Sequence, residues 1–294
     1  MEELAWTGER LVTSVSDLHG TIEHLHRYAL ALRLAEHKTV VDIASGEGYG
    51  TKLLSNVAKK AIGIDISAEA VEHAKVKYSG TNLEFKVGST SNIPLADNSV
   101  DLVVSFETLE HHDEHEEMMQ EIKRVLTPSG VLIISSPEKS IYKARDPKNP
   151  FHIKELTLDE FKVLLSKYFS EVRLYDQKFV FGSLINELGN AKGFDFFDGG
   201  FDKITTDVEE DDFYNRPFFN LAIASNIKSH DEVPSTSIFN GLKVLHKNEE
   251  NVAIENERIQ KSLNIIIDQL KHSTSFKLGN FFASKVQFLK KKKQ

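Results

Sequence analysis

Residues 40–50 read V-V-D-I-A-S-G-E-G-Y-G, and a second strand-like run, Gly63-Ile64-Asp65-Ile66-Ser67, also ends around an acid. A β-branched apolar run that stops on an acid and turns through glycines brings backbone close to a ligand. Glycine accepts positive φ and carries no Cβ to collide with it. Asp65 lies 19 residues past Gly46, about the length a β-turn-α-β unit needs to set a second strand end beside the first. Such a pair suits a nucleoside, with glycines under one part and a carboxylate accepting from the ribose hydroxyls. Further along, His111, His112 and His152 are the groups able to take a proton from an acceptor hydroxyl, with Glu107 and Glu110 as orienting carboxylates. His111 and His115 stand i, i+4, but no carboxylate at a known spacing completes a ligand set, so no metal site is expected.

The glycines fall at 46, 48 and 50, and Thr51 stands where G-x-G-x-x-G needs its third glycine, which argues against a dinucleotide. No G-x-x-x-x-G-K-[ST] run is present for a triphosphate. The elements that must position these residues follow from periodicity. Apolar runs at 40–44, 61–64, 83–87, 102–106 and 131–135 alternate with helical patterns at about 48–58, 68–78 and 114–126. Five such units imply a doubly wound, mostly parallel sheet with helices on both faces. Residues 21–36 form a further helix, Thr157-Leu158-Asp159-Glu160 is a capping box that opens another, and 171–181 and 218–224 add two strands.

The composition is that of a soluble globular protein, with 40% apolar and 27% charged residues. Cysteine is absent, which excludes disulfides and thiolate metal sites. The N-terminus is acidic and unlike a signal peptide, and no run reaches membrane-span length, so the expected location is the cytoplasm. Residues 272–294 hold six lysines and no acid, so the net charge of −8 divides into +6 there and −14 elsewhere. A body that acidic is a poor partner for nucleic acid. The tail mixes its lysines with Phe276, Leu278, Phe281, Phe282, Val286, Phe288 and Leu289, a composition suited to an anionic membrane surface at the inner membrane face. Before it, Leu242, Leu263 and Leu270 occupy heptad a, Leu245, Val252, Ile259 and Ile266 occupy d, and Glu249 and Asn256 are polar a positions. That pattern predicts a coiled coil and a homo-oligomer. Residues 195–212 carry eight acids and one lysine among phenylalanines, as a solvated flap over the site or an acidic docking surface would. The expected organisation is a cap segment (1–38), the α/β domain (39–226) with an insertion at about 184–215, a linker (227–240), a coiled-coil helix (241–271) and a basic amphipathic tail (272–294).

The D-x-A-S-G-E-G-Y-G stretch resembles motif I of the class I S-adenosylmethionine-dependent methyltransferases, with Ala44 in place of the commoner first glycine. Val87-Gly88-Ser89-Thr90, Ile93-Pro94-Leu95 and Asp97–Asp101 resemble that family's next conserved stretch, with Ser89 where an aspartate usually accepts from the adenine amine. Phe106–His111 resembles the fourth-strand ending of quinone-biosynthesis and related small-molecule methyltransferases, and Leu126–Gly130 resembles the family's L-K-P-G-G turn. The resemblance spans roughly 40–136 and implies a seven-stranded Rossmann-like methyltransferase fold with S-adenosylmethionine as cofactor and S-adenosylhomocysteine as product.

It implies a cofactor site of Asp42, Ala44, Gly46, Glu47, Gly48, Asp65, Ile66, Gly88, Ser89, Thr90 and Phe106. Asp42 and Glu47 would organise the loop, Gly46 and Gly48 would lie under the methionine part, and Asp65 would hold the ribose. Adenine recognition would rest on the Ser89 hydroxyl and the Thr90 amide. Arg27 and Tyr28 match an Arg-Tyr pair in similar sequences, where they would reach the methionine carboxylate or serve the structure. His111 would end the strand that faces the cofactor methyl.

Thr7-Gly8-Glu9-Arg10, the H-x-H-R-Y run at 24–28 and Asn149–Leu156 resemble methyltransferases of bacterial cell-surface polysaccharide pathways such as O-antigen and capsule. This implies O-methylation of a sugar hydroxyl or sugar phosphate on a lipid-linked glycan, with His152 in the acceptor mouth. An ionised phosphate would need no base. The alternatives are O- or C-methylation of a small lipid such as a quinone precursor, and a non-catalytic scaffold that presents the coiled coil.

Overall fold

The alternating apolar runs become strands β1 (Thr39–Ile43), β2 (Lys60–Asp65), β3 (Leu83–Val87), β4 (Val100–Ser105) and β5 (Leu126–Pro137). Helix α1 (Leu18–Ala35) precedes them, and α2 (Tyr49–Ser55), α3 (Ala68–Lys77) and α4 (His115–Val125) lie between them. Next come α5 (Lys139–Arg145), α6 (Leu158–Ser166), β6 (Glu171–Gln177), β7 (Asp198–Gly199), β8 (Ile204–Thr205) and β9 (Phe219–Ser225). The computed structural model describes residues 4, 11–13, 17–145, 149–180, 198–199, 204–205, 217–227 and 233–272. The chain divides into two units, Met1–Phe239 and Asn240–Gln294.

The first unit is built on one seven-stranded sheet in the order β3-β2-β1-β4-β5-β9-β6. The pairs among β1 to β5 are parallel, and β9 runs antiparallel to both β5 and β6. Side chains alternate across each strand, so every strand feeds two cores. Val41, Ile43, Val103, Leu132 and Ile134 join Met118, Met119 and Ile122 of α4 and Phe161 and Leu165 of α6 on one face. Val40, Leu102, Val104, Val131 and Ile133 join Leu30, Ala31 and Leu34 of α1 and Leu54 of α2 on the other. The strand order reverses between β1 and β4, and in open α/β sheets ligands bind at that switch, outside the carboxyl ends of the strands. Pairing of Ile43 with both Ile64 and Ser105 brings the loops after β1, β2 and β4 to one place there.

Helix boundaries follow local capping chemistry. The Asp17 carboxylate accepts from Gly20 N and starts α1 earlier than apolar spacing alone predicts. The capping box at Thr157 forms, with Thr157 Oγ accepting from Glu160 N and the Glu160 carboxylate accepting from Thr157 N. The segment 126–130, anticipated as a turn before a strand, instead belongs to β5, whose pairing with β4 shifts register between Val100 and Leu102. That irregularity absorbs Pro128, which cannot donate to a ladder. Helix α5 was not anticipated, because residues 139–145 lack an apolar period. The flap expected at 195–212 lies largely outside the described residues, as does the basic tail beyond His272. Within the flap, β7 and β8 form a two-stranded antiparallel ladder.

In the second unit, α7 (Leu242–His272) covers the heptad region as one continuous helix. Leu242, Val252, Ile259, Leu263 and Ile266 of that stripe are exposed on it.

Gly50 shows how tightly the first unit closes around its loops. A Cβ added there would lie 1.9 Å from Tyr28 Cζ, within a ring that is itself buried. Gly50→Ala is expected to cost about 3 kcal/mol or more, at or beyond the upper end of ordinary overpacking. Urea unfolding of the variant and the parent protein measures this difference.

Candidate active site

The loop after β1 takes a left-handed path through Ala44 (φ 58°), Gly46 (φ 55°) and Gly48 (φ 92°). A Cβ at Gly48 would come within 2.8 Å of Phe85 and 2.9 Å of Ala74, so that glycine serves packing against β3 and α3. Gly46 N donates to Asp65 Oδ2 at 2.8 Å, and Ser67 N donates to Asp65 Oδ1 at 2.9 Å. The strand ends of β1 and β2 are thereby tied together, while each Asp65 oxygen keeps a further lone pair for a ligand. A cavity of about 710 Å³ opens beside them, a size typical of small-molecule sites. Ala44, Gly46, Glu47, Asp65, Ile66, Gly88, Ser89, Thr90, Tyr28 and Phe106 all border it.

Two carboxylates brace this loop. Asp42 is buried and accepts from Thr51 Oγ1 at 2.7 Å and from Tyr28 Oη at 3.2 Å. Burial pushes its carboxyl up to about 7, against the opposing pull of the Thr51 and Tyr28 hydrogen bonds. Glu47 receives Lys77 Nζ at 2.8 Å, Tyr78 Oη at 3.1 Å and both the amide and the hydroxyl of Thr13, at 3.1 and 3.2 Å. Burial raises the Glu47 carboxyl, but the bonds from Lys77 and Thr13 outweigh it and hold the group below its usual range. His24 also borders the cavity, where burial lowers its imidazole to about 3 and keeps it neutral.

The same cavity is also lined by Glu107, Glu110, His111, His112, Tyr142 and His152. His111 Nδ1 lies 3.1 Å from Phe151 O, and His152 Nδ1 lies 2.7 Å from Glu155 Oε1. The two rings meet edge to face at 5.3 Å, and Tyr142 stacks on His152 at 4.7 Å. Ile153 N and Lys154 N donate to the Glu110 carbonyl at 2.7 and 3.1 Å, which draws the 149–156 segment against the 3₁₀ turn Leu109–His111.

A family model described as a methyltransferase domain matches residues 41–134, the stretch that holds both the glycine loop and His111. Residues 41–134 are similar to a methyltransferase domain. The chain is 33% identical over 165 residues to a protein of Mycolicibacterium smegmatis named a probable S-adenosylmethionine-dependent methyltransferase, covering 55% of this chain and 63% of the relative. It is 36% identical over 167 residues to a similarly named protein of Mycobacterium tuberculosis, covering 55% and 60%. The chain therefore spans about three fifths of the length of these relatives. The fold is shared with the solved S-adenosylmethionine-dependent methyltransferase of Thermotoga maritima, with TM-score 0.51, 20% identity, and coverage of 71% of this chain and 92% of that one.

Within the methyltransferase domain and its flanks, several anticipated residues sit away from the cavity or have other partners. Asp42, Gly48 and Arg27 do not line it. Arg27 is buried, donates through Nε to Gln177 Oε1 at 2.6 Å and pairs with Glu107 at 3.1 Å. Glu107 lines the cavity at φ 51°, but its carboxylate takes Ser135 Oγ at 2.7 Å and Arg27 rather than orienting a histidine. The carboxylates beside the histidines are Glu155 on His152 and Glu110, 3.9 Å from His111 Nε2. For Glu155 the usable sequence signal is the H-x-x-E spacing at 152–155. Lys77, Thr13 and Tyr142 had no local signal. His115 is buried with Nε2 2.8 Å from Leu109 O, so it does not form a pair with His111.

Asp42 gives a pH prediction. Its folded value, about 7, exceeds its ordinary 3.8, so the folded state binds the extra proton between them. The stability contributed by neutral Asp42 is complete below 3.8 and is lost as pH rises through about 7. Asp42→Asn is expected to flatten this part of the thermal-stability profile across pH 4–7. Melting curves of both proteins in that range test it.

Proposed function

We propose that the chain transfers a methyl group from S-adenosylmethionine to an oxygen of an acceptor seated against His111 and His152. One observation carries this reading: the Gly46–Asp65 loop pair and the two histidines border a single cavity. The donor end suits S-adenosylmethionine. Asp65 retains lone pairs for ribose hydroxyls, Ser89 and Thr90 offer polar groups, and Tyr28 and Phe106 supply aromatic walls that meet edge to face at 5.1 Å. When bound, S-adenosylmethionine supplies an electrophilic methyl on a sulfonium.

The chain's own residues align the acceptor and remove its proton. His152 leads as base, because the Glu155 carboxylate accepts its Nδ1 proton and leaves Nε2 as the basic nitrogen. His111 is held in the same way by the Phe151 carbonyl. Closing the acceptor off from water favours this alignment.

For the acceptor we infer a sugar hydroxyl or sugar phosphate of a lipid-linked surface glycan. The support is the resemblance in the 24–28 and 149–156 segments, which contribute His24, Tyr28, Phe151 and His152 to the cavity lining. The basic tail and the exposed apolar stripe of α7 support membrane attachment at the inner face and self-association, respectively. Transfer of labelled methyl into lipid-linked glycan extracts, with mass analysis of the product, tests the acceptor class. An unlabelled glycan fraction beside a labelled small lipid would overturn it.

Asp65→Ala is expected to weaken S-adenosylmethionine binding at least about tenfold in calorimetry, the effect of a lost charge-assisted hydrogen bond. His152→Ala is expected to leave that affinity within a few fold and to lower turnover by about 10²- to 10⁴-fold. Undiminished turnover in both His111→Ala and His152→Ala would remove the general-base role. Truncation after residue 271 is expected to abolish salt-sensitive co-sedimentation with anionic liposomes. Equal sedimentation of the truncated protein would contradict the tail assignment.

A further inference from the structure

The acceptor end of the cavity holds more than a base. Glu110, His111 and His152 each present a donor atom, and these atoms all lie within 4.8 Å of one another. Glu110 and His111 are adjacent in the chain, while His152 arrives from a segment 41 positions after His111. The backbone bonds from Ile153 and Lys154 to the Glu110 carbonyl hold the two segments together. We propose that these three side chains form a divalent-cation site of the two-histidine, one-carboxylate kind, which binds the acceptor oxygen.

Three features support this beyond proximity. Both histidines have their Nδ1 engaged by groups that can only accept, the Phe151 carbonyl and the Glu155 carboxylate. A neutral ring held in this way carries its proton on Nδ1 and its lone pair on Nε2. That arrangement, a second-shell carbonyl or carboxylate behind each imidazole, is how metal-binding histidines are oriented and made more basic. Second, Glu110 is 1% exposed, His152 is 6% and His111 is 33%, so the carboxyl group is buried and is not a solvated surface acid. Third, all three residues border the cavity, so an ion there would touch whatever occupies its acceptor end.

Ligands about 2.1 Å from a tetrahedral ion lie about 3.4 Å apart. The His111 Nε2 to Glu110 Oε1 separation is 3.9 Å, so binding requires the donors to close by only a fraction of an ångström on this edge. Nitrogen and oxygen donors without sulfur suit zinc and its neighbours in the divalent series. Three protein ligands leave a position open for water or an acceptor oxygen. An acceptor hydroxyl bound there would release its proton to solvent more readily, as zinc-bound water does. Only that function of the ion rests on the methyltransferase reading; the ligand set stands without it.

The test uses the full chain stripped with a chelator and titrated with zinc by calorimetry and with cobalt by visible absorption, with no cofactor present. One ion per chain is expected, with a cobalt spectrum of four- or five-coordinate type. His111→Gln, the most exposed of the three ligands, and Glu110→Gln are each expected to weaken binding by about 100-fold or more. Glu155→Gln, which alters only the group behind His152, is expected to weaken it by about 10- to 100-fold. Thermal melts accompany each variant, and His111→Gln alone decides the matter if a buried substitution unfolds the protein. Failure of the parent protein to bind either ion, or binding that His111→Gln leaves unchanged, would overturn the site. S-adenosylmethionine calorimetry on the same samples reports on the methyltransferase reading separately, because metal can bind where the cofactor does not and the reverse.

Discussion

The hydrogen bond from the Gly46 amide to the Asp65 carboxylate, at 2.8 Å, ties together the two strand ends that border the cavity. Parallel neighbours β1 and β2 end side by side, and Ser45 N donating to Ile64 O at 3.0 Å joins the same strand ends. With the bond made, the first loop folds through left-handed residues without a bulky side chain at Gly46, and the second offers its remaining carboxylate lone pairs to the same space. The bond also explains why Asp65 must be an acid at a strand end: a neutral side chain of similar size would accept less strongly from two amides at once. Everything else in the donor half reinforces this junction from behind.

That reinforcement is layered. Asp42 lies behind the cavity wall and joins α1 to α2 through Tyr28 and Thr51. Tyr28 in turn fills the space a side chain at Gly50 would need. Glu47 gathers Thr13, Lys77 and Tyr78, and so fixes an N-terminal residue and the end of α3 to the loop. Buried carboxylates are costly unless hydrogen-bonded, and both of these spend their acceptor capacity on structure. Arg27 and Glu107 form a third such pair beneath the end of β4, where Glu107 adopts a left-handed backbone. Left-handed non-glycine residues at Ala44 and Glu107 flank the switch between β1 and β4, the place where strain is retained for a functional reason in many folds.

The acceptor half is built by a different principle. There the backbone of Glu110 accepts from Ile153 and Lys154, and the side chains of two histidines are turned by the groups on their far nitrogens. The same arrangement serves a base, with Nε2 as the nitrogen that takes a proton, and a metal ligand, with Nε2 as the nitrogen that donates its lone pair. A cation at that point would take over the task of activating the acceptor, while Glu155 would keep its role behind His152.

The sequence alone determined the fold class, the strands and the donor loop, because those depend on local spacing. Apolar alternation marks strands, glycines and caps mark turns, and the distance from Gly46 to Asp65 is the length of one β-turn-α-β unit. Its heptads also marked a helix over 241–271, which α7 covers from Leu242 to His272. Only the tertiary structure decided which carboxylate stands beside which histidine. Glu107 was adjacent in sequence but is drawn to Arg27 and Ser135, whereas Glu155 reaches His152 from three residues away and Glu110 meets His152 only because segments 42 residues apart come together. Side-chain direction at a strand end depends on backbone dihedrals and on what fills the space behind it, and neither is encoded in spacing. His111 and His115, i, i+4 in the chain, part for that reason: His111 borders the cavity and His115 turns to the Leu109 carbonyl.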